Sequence, residues 1–256
     1  MAKPGGRLCR RWPLGEGKPP VFCIRIAGLP IGLNNRYAYV RHLCRDYLTP
    51  EKPLFVVRAS DEDLRREARA SAGRPRPALC ESICLYRRLC YRLPAYDAFL
   101  MHAAVISMDG AAYVFCAPSG TGKTTHIGLW QQQFGSRAQV INGDKPVFRF
   151  IDGVLYACGT PWNGKEHLGC NTQCPVAAVC FLEQGPENQI RPLAPQEVTR
   201  RIFHQILLPP FQPTFDRFWS LLDRMIQTVP FYLLQCNREP EAALLAYHTM
   251  RRSKTC

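Results

Sequence analysis

The chain has no apolar run near the ~18 residues of a membrane span, so neither a transmembrane helix nor a membrane partner is expected. Its opening residues, Met-Ala-Lys-Pro-Gly-Gly-Arg-Leu-Cys-Arg-Arg-Trp-Pro, hold no continuous apolar stretch of the kind a secretory signal needs. No two cysteines are spaced C-x2-C, the usual knuckle of a structural zinc site. The cysteines number 13, and an odd count argues against a complete disulfide framework. These absences point to a reducing, cytoplasmic setting in which cysteine serves as a small hydrophobe. There is no internal repeat, which excludes a solenoid or array.

Acid is also scarce. Asp and Glu number 20 against 33 Lys and Arg, a net charge of +13. The imbalance is concentrated in residues 1–100, with 19 basic and 9 acidic residues. Such a region can meet nucleic acid or an acidic peptide. The chain carries no nucleic-acid motif and little aromatic interleaving with its arginines, so a solvated basic surface is the favoured reading and nucleic acid a disfavoured partner.

At 256 residues and 46% hydrophobic, the chain is long enough for one large or two small domains. Residues 1–20 read as a loose basic tail, residues 21–77 as a small α+β region, and residues 78–256 as the main domain. Strands are expected at 21–26, 53–58, 99–107, 111–116, 137–141, 146–150, 154–158, 175–182 and 231–236. Helices are expected at 35–48, from Ser60, and at 78–93, 194–208, 214–229 and 239–251. Asp109-Gly110 and Asp152-Gly153 mark hairpin turns. Cys80, Cys84 and Cys90 are spaced C-x3-C-x5-C, as are Cys170, Cys174 and Cys180. Cys80 and Cys84 fall on one helical face, so packing is favoured over metal binding.

The densest chemical signal is Ala117-Pro-Ser-Gly-Thr-Gly-Lys-Thr-Thr125, between the apolar run Ala111–Cys116 and a stretch that can continue as a helix. Strand, glycine-bearing loop ending in Gly-Lys-Thr, and helix is the context of a phosphate-binding P-loop. Glycines let backbone N–H groups converge on an anion, and the helix N-terminus adds positive potential. Ser119, Gly120, Thr121, Gly122, Lys123, Thr124 and Thr125 are therefore the candidate nucleotide contacts. Lys123 would reach the outer phosphates and Thr124 would hold Mg2+. Ala117 replaces the first glycine of the usual pattern.

Three other features narrow the reading. Asp144 ends an apolar strand and is a candidate Mg2+ ligand, against a plain turn aspartate. His102 lies on the expected strand 99–107, which forms a hairpin with the strand before the loop, and is a candidate catalytic group, against a core histidine. Gly159-Thr-Pro-Trp-Asn-Gly-Lys-Glu-His167 is a loop carrying Lys165, Glu166 and His167 that can supply a nucleotide or acceptor contact, against a structural turn with exposed charge.

The combination resembles the HPr serine kinase and phosphoenolpyruvate carboxykinase family, and within it the short HPr-kinase-like proteins of bacterial peptide-modification gene clusters. The resemblance rests on Leu100-Met-His102, loop 117–125, Asp144-Lys-Pro146, Gly159-Thr-Pro-Trp162, Val229-Pro-Phe-Tyr232 and Cys236-Asn237. It covers roughly residues 80–250. It implies an α/β fold with a mixed, curved sheet and flanking helices, and ATP with Mg2+ as cofactors. It further implies γ-phosphoryl transfer to a hydroxyl, as of serine in a peptide or protein, and a homo-oligomer. Catalysis would involve His102, Lys123, Asp144 and Glu166, with metal held by Thr124 and Asp144. Where these kinases carry two adjacent acids, this chain has Gly143-Asp144. A nucleotide sensor without turnover and a nucleic-acid-associated NTPase are the alternatives. Carboxykinase activity is disfavoured by the short chain.

Overall fold

The computed structural model describes residues 21–251 except Ala72 and Ser119, and the expected tail lies outside them. The chain divides into two compact units, the first ending at Arg92 and the second beginning at Leu93. This division comes later than the boundary read from composition at 77/78.

In the first unit, strands β1 (Val21–Ile26), β2 (Leu29–Asn34) and β3 (Phe55–Arg58) form one sheet in that order, antiparallel and then parallel. Helices α1 (Ala38–Leu43), α2 (Asp61–Ala70) and α3 (Pro77–Cys90) complete it. The helix expected over 35–48 is shorter, because Asn34 ends β2 and a 3-10 turn occupies Arg45–Tyr47. β2 lies between the expected strand 21–26 and helix 35–48; it carries Pro30 and Gly32, yet Ile31 and Leu33 are fully buried. The capping box at Ser60 is present, with Asp63 as the reciprocal acceptor. Asp63 also pairs with Arg66 and Arg88, and Arg87 with Glu67. Several arginines of the basic region thus face carboxylates of their own unit. Helix α3 packs on α1, α2 and β3, which is why it belongs to this unit. Its fully buried Glu81 accepts from the backbone N–H groups of Arg36 (2.6 Å) and Tyr37 (3.0 Å), tying α3 to the entry of α1.

The second unit is a nine-stranded mixed sheet. Its strands are β4 (Ala98–Leu100), β5 (Ala104–Met108), β6 (Ala111–Cys116), β7 (Gln139–Asn142), β8 (Val147–Ile151), β9 (Val154–Cys158), β10 (Gln173–Gln184), β11 (Gln189–Pro192) and β12 (Phe231–Cys236). The main path runs β4-β8-β9-β10-β6-β5-β7, with β12 beside β10 and β11 beside β12. β10 is the shared element: its first residues pair antiparallel with β9, the rest parallel with β6 and β12. The flanking helices are α4 (Lys123–Phe134), α5 (Pro195–Ile202), α6 (Thr214–Thr228) and α7 (Glu241–Arg251). α5 stops six residues short of the expected Leu208, with Gln205 N donating to the carbonyl of Ile202.

Every residue of β6 is buried, and the period-2 alternation divides them between two cores. Ala112, Val114 and Cys116 join Phe99, Phe148, Phe181, Phe218 and Leu222, the core that seats α6. Ala111, Tyr113 and Phe115 join Ile127, Trp130, Leu234 and Tyr247, the core that seats α4 and α7. Trp130 is completely buried, and burying such a side chain stabilises by about 2–3 kcal/mol. That anchorage holds α4, and the loop before it, against the end of β6. Among the described residues, no helix is long and apolar enough to cross a membrane.

Candidate functional site

The loop after β6 leads directly into α4, whose N-cap is Gly122. Gly120 and Gly122 have φ of 82° and 123°, in the region that side chains disfavour, so the bend between strand and helix depends on both. Lys123, the first residue of α4, is buried and folds back over the loop. Its Nζ donates to the carbonyl oxygens of Ala117 (2.8 Å) and Pro118 (3.5 Å). Burial pushes its amine down, partly offset by Cys116 and Asp144. Ser119 lies outside the described residues.

His102 does not sit in a strand. The segment expected as one strand over 99–107 is two, β4 and β5, which pair with β8 and β6 respectively. Between them the backbone bonds elsewhere. Met101 bridges Ile206, His102 N donates to the carbonyl of Gln205 (2.6 Å), and Ala103 N donates to that of Asp144 (3.1 Å). Leaving the sheet releases the His102 side chain toward Asp144, and Nε2 lies 2.9 Å from Oδ1.

Asp144 follows the end of β7. Its other oxygen, Oδ2, pairs with the Lys145 ammonium. Burial pushes the Asp144 carboxyl up, but the hydrogen bonds from His102 and Lys145 outweigh it and hold the group at about 2. The turn is fixed from below by Asn142, whose Oδ1 accepts from Asp144 N (2.9 Å) and Lys145 N (2.7 Å). Asn142 Nδ2 donates to both oxygens of Thr160 (3.1 Å each), and Thr160 Oγ1 donates to the Lys145 carbonyl (2.7 Å). Asn142 and Thr160 are both fully buried.

His102, Gly120, Gly122, Lys123, Thr124, Thr125, Gly143, Asp144, Lys145, Gly164, Lys165 and Glu166 line one cleft of about 510 Å3. Thr121 instead lines two neighbouring hollows on the far side of the loop, and Gln184 Nε2 donates to its carbonyl (3.1 Å). Glu166 is exposed, and its Oε2 lies 3.5 Å from where a Cβ on Gly164 would stand. His167 is not among the cleft-lining residues.

Gly143 is held by packing. A Cβ there would meet the carbonyl oxygens of Asn163 at 3.2 Å and Leu168 at 3.3 Å. Gly143 N also donates to the Leu168 carbonyl (2.9 Å). Loop 163–168 thus closes on Gly143.

Four site residues escaped the reading of the sequence. Lys145 was noted only as part of a motif. Asn142 and Thr160 serve the turn, and Asn142-Gly143-Asp144 is legible in retrospect as an Asx turn. Gln205 is buried between strand break and loop. In the amide orientation that satisfies both partners, its Nε2 donates to the carbonyl oxygens of His102 (2.8 Å) and Ala117 (3.3 Å). No sequence signal marks it. Among the described residues no cluster of three or more His, Cys, Asp or Glu can hold a metal ion, and Cys80, Cys84, Cys90, Cys170, Cys174 and Cys180 form no disulfide.

Thr124 and Asp144 offer only oxygen donors to the same cleft, the donor chemistry that suits Mg2+.

No protein-family model matches the chain. No curated protein matches it. Among solved structures, the Hpr(Ser) kinase/phosphatase from Coxiella burnetii is similar at a TM-score of 0.35 and 12% identity, over 60% of this chain and 88% of that one. A likeness of that size supports no conclusion about family or activity.

Proposed function

We propose that the second unit is an ATP-dependent kinase that moves the γ-phosphoryl group to a hydroxyl, as of serine in a peptide or protein. The observation that carries this reading is the convergence of Lys123, Thr124, Asp144 and His102 on one cleft at the N-terminus of α4. A phosphate chain at that terminus meets backbone N–H groups and the helix dipole. On its arrival Lys123 exchanges the carbonyls of Ala117 and Pro118 for phosphate oxygens. Such preorganised charge is worth several kcal/mol of transition-state stabilisation. Mg2+ held by Thr124 and Asp144 would neutralise the phosphate oxygens.

His102 supplies the proton acceptor. With Nε2 donating to Asp144, its Nδ1 carries the lone pair, an arrangement in which the carboxylate orients the imidazole. The acceptor oxygen forms a bond to phosphorus, the bond to the leaving ADP oxygen breaks, and the acceptor proton passes to Nδ1. Glu166 on the rim is a second candidate base.

The test is intact-mass analysis of candidate peptides after incubation with Mg·ATP. A gain of one phosphoryl group that Lys123→Ala abolishes is expected, and turnover undiminished in that variant would refute the assignment.

A second reading, a nucleotide sensor without turnover, is favoured by one observation: the packing around Gly143 leaves no room for a second carboxylate without movement of loop 163–168. Tight binding of nucleotide with no transfer to any acceptor, and no hydrolysis, would select it.

A further inference from the structure

The backbone of the half-buried Lys145 is clamped on both sides. Its N–H is taken by Asn142, its carbonyl by Thr160, and both partners are fully buried. The side chain so anchored runs into the cleft and places its ammonium on Asp144 Oδ2, while His102 takes Oδ1. Both oxygens of the one carboxylate at the end of β7 are thus engaged, and Gly143 offers no second carboxylate beside it. An ammonium and a divalent cation repel each other and cannot share one oxygen along the same direction. Lys145 also stands near enough to Lys123 for its charge to act on that amine. Its flexible four-carbon stem allows the ammonium to change partners without moving the clamped backbone.

We propose that Lys145 is an exchangeable cation: it neutralises Asp144 in the resting site, yields that carboxylate to a divalent cation, and moves onto the polyphosphate of the incoming nucleotide. The inference rests on the nucleotide reading above. It adds a third phosphate-binding element beside the loop amides and Lys123. It also accounts for how the half-buried Asp144 carboxylate is compensated in the resting site. No bond is made or broken in the exchange, and charge is conserved at each step.

Two measurements on purified Lys145→Met test it, with Lys145→Arg as the conservative comparison. The first is Mn2+ affinity without nucleotide, read from the EPR signal of free Mn2+. Removing the competing ammonium is expected to tighten binding about threefold to tenfold. The second is the affinity for a fluorescent ATP analogue at saturating Mn2+, expected to weaken by a similar factor and to be restored in large part by arginine. Unchanged or weaker Mn2+ binding in the methionine variant overturns the competition, and unchanged analogue affinity overturns the transfer to phosphate. Wild-type protein that binds no analogue, as Lys123→Ala is expected not to, would sink the nucleotide reading and the transfer with it. The Mn2+ arm still reads the Lys145–Asp144 competition alone.

Discussion

His102 Nε2 and Asp144 Oδ1 lie 2.9 Å apart, joining the break between β4 and β5 to the end of β7. Neither side chain could be placed by its own strand. The pair exists because the backbone leaves the sheet at Met101–Ala103, and because Ala103 N donates to the carbonyl of Asp144 itself (3.1 Å). A hydrogen bond in the main chain thus sets the distance at which the side chains meet.

Replacing His102 by alanine is expected to lower kcat about 100-fold or more, the range for loss of general acid–base catalysis. Affinity for the nucleotide should change little, because the loop amides and Lys123 are untouched. Steady-state kinetics beside equilibrium binding separates the two. An unaltered kcat would return His102 to a structural role.

Gly143→Ala and Gly143→Asp both place a Cβ against the carbonyl oxygens of Asn163 and Leu168. Each should cost roughly 1–3 kcal/mol of stability, as overpacking does. The aspartate should not raise the rate, since seating it displaces the loop that carries Glu166. Thermal denaturation of both variants, with kinetics of the second, checks this. A stable Gly143→Asp protein with a large gain in rate would mean that the wild-type chain is a restrained kinase.

Acid should destabilise the second unit in two stages. His126 is buried, its Nε2 accepts from Trp130 Nε1 (3.0 Å), and its Nδ1 has no partner. Burial pushes the imidazole from 6.5 down to about 3. Between those values the unfolded chain binds a proton that the folded chain refuses. Stability therefore falls as pH drops from 6.5 toward 3, by up to ~1.4 kcal/mol per pH unit. Asp144 acts lower: its depressed pKa adds stability above 3.8 that is lost as pH falls toward about 2. Urea unfolding at pH 7 and pH 4.5 should show the first stage. His126→Gln keeps an acceptor for Trp130 and should flatten it; parallel profiles for the two proteins would count against the idea.

Gln205→Leu should leave the carbonyl oxygens of His102 and Ala117 without their shared donor. The loss of stability should be about 1–3 kcal/mol, the cost of leaving the His102 carbonyl unpaired, since Ala117 O keeps the Lys123 ammonium as a donor. Because Gln205 braces both the strand break and the start of the phosphate loop, nucleotide affinity should fall along with kcat. Calorimetric binding is the check, and wild-type affinity in the variant would show that the loop holds its shape unaided.

What local sequence determines here is considerable. Periodicity and turn chemistry located β6, the Asp109-Gly110 and Asp152-Gly153 hairpins, α6, α7 and the capping box at Ser60, because each rests on contacts within a few residues. The bend between β6 and α4 was legible for the same reason: Gly120, Gly122, Lys123 and Thr124 form one continuous stretch of backbone. β2 carries Pro30 and Gly32, which argue for a turn, and β11 is only four residues long, so pairing with neighbouring strands is what defines both. His102 and Asp144 could be named as candidates from the sequence, but their meeting could not, since it depends on a strand that breaks to bond with Gln205 and Asp144. The turn that joins Asn142 to Asp144 and Lys145 is local, but its bonds to Thr160 and the closure around Gly143 belong to tertiary structure. Those are hydrogen bonds and van der Waals contacts between segments distant in the chain. The glycine-bearing loop before α4 is written in consecutive residues; what surrounds it is decided by packing.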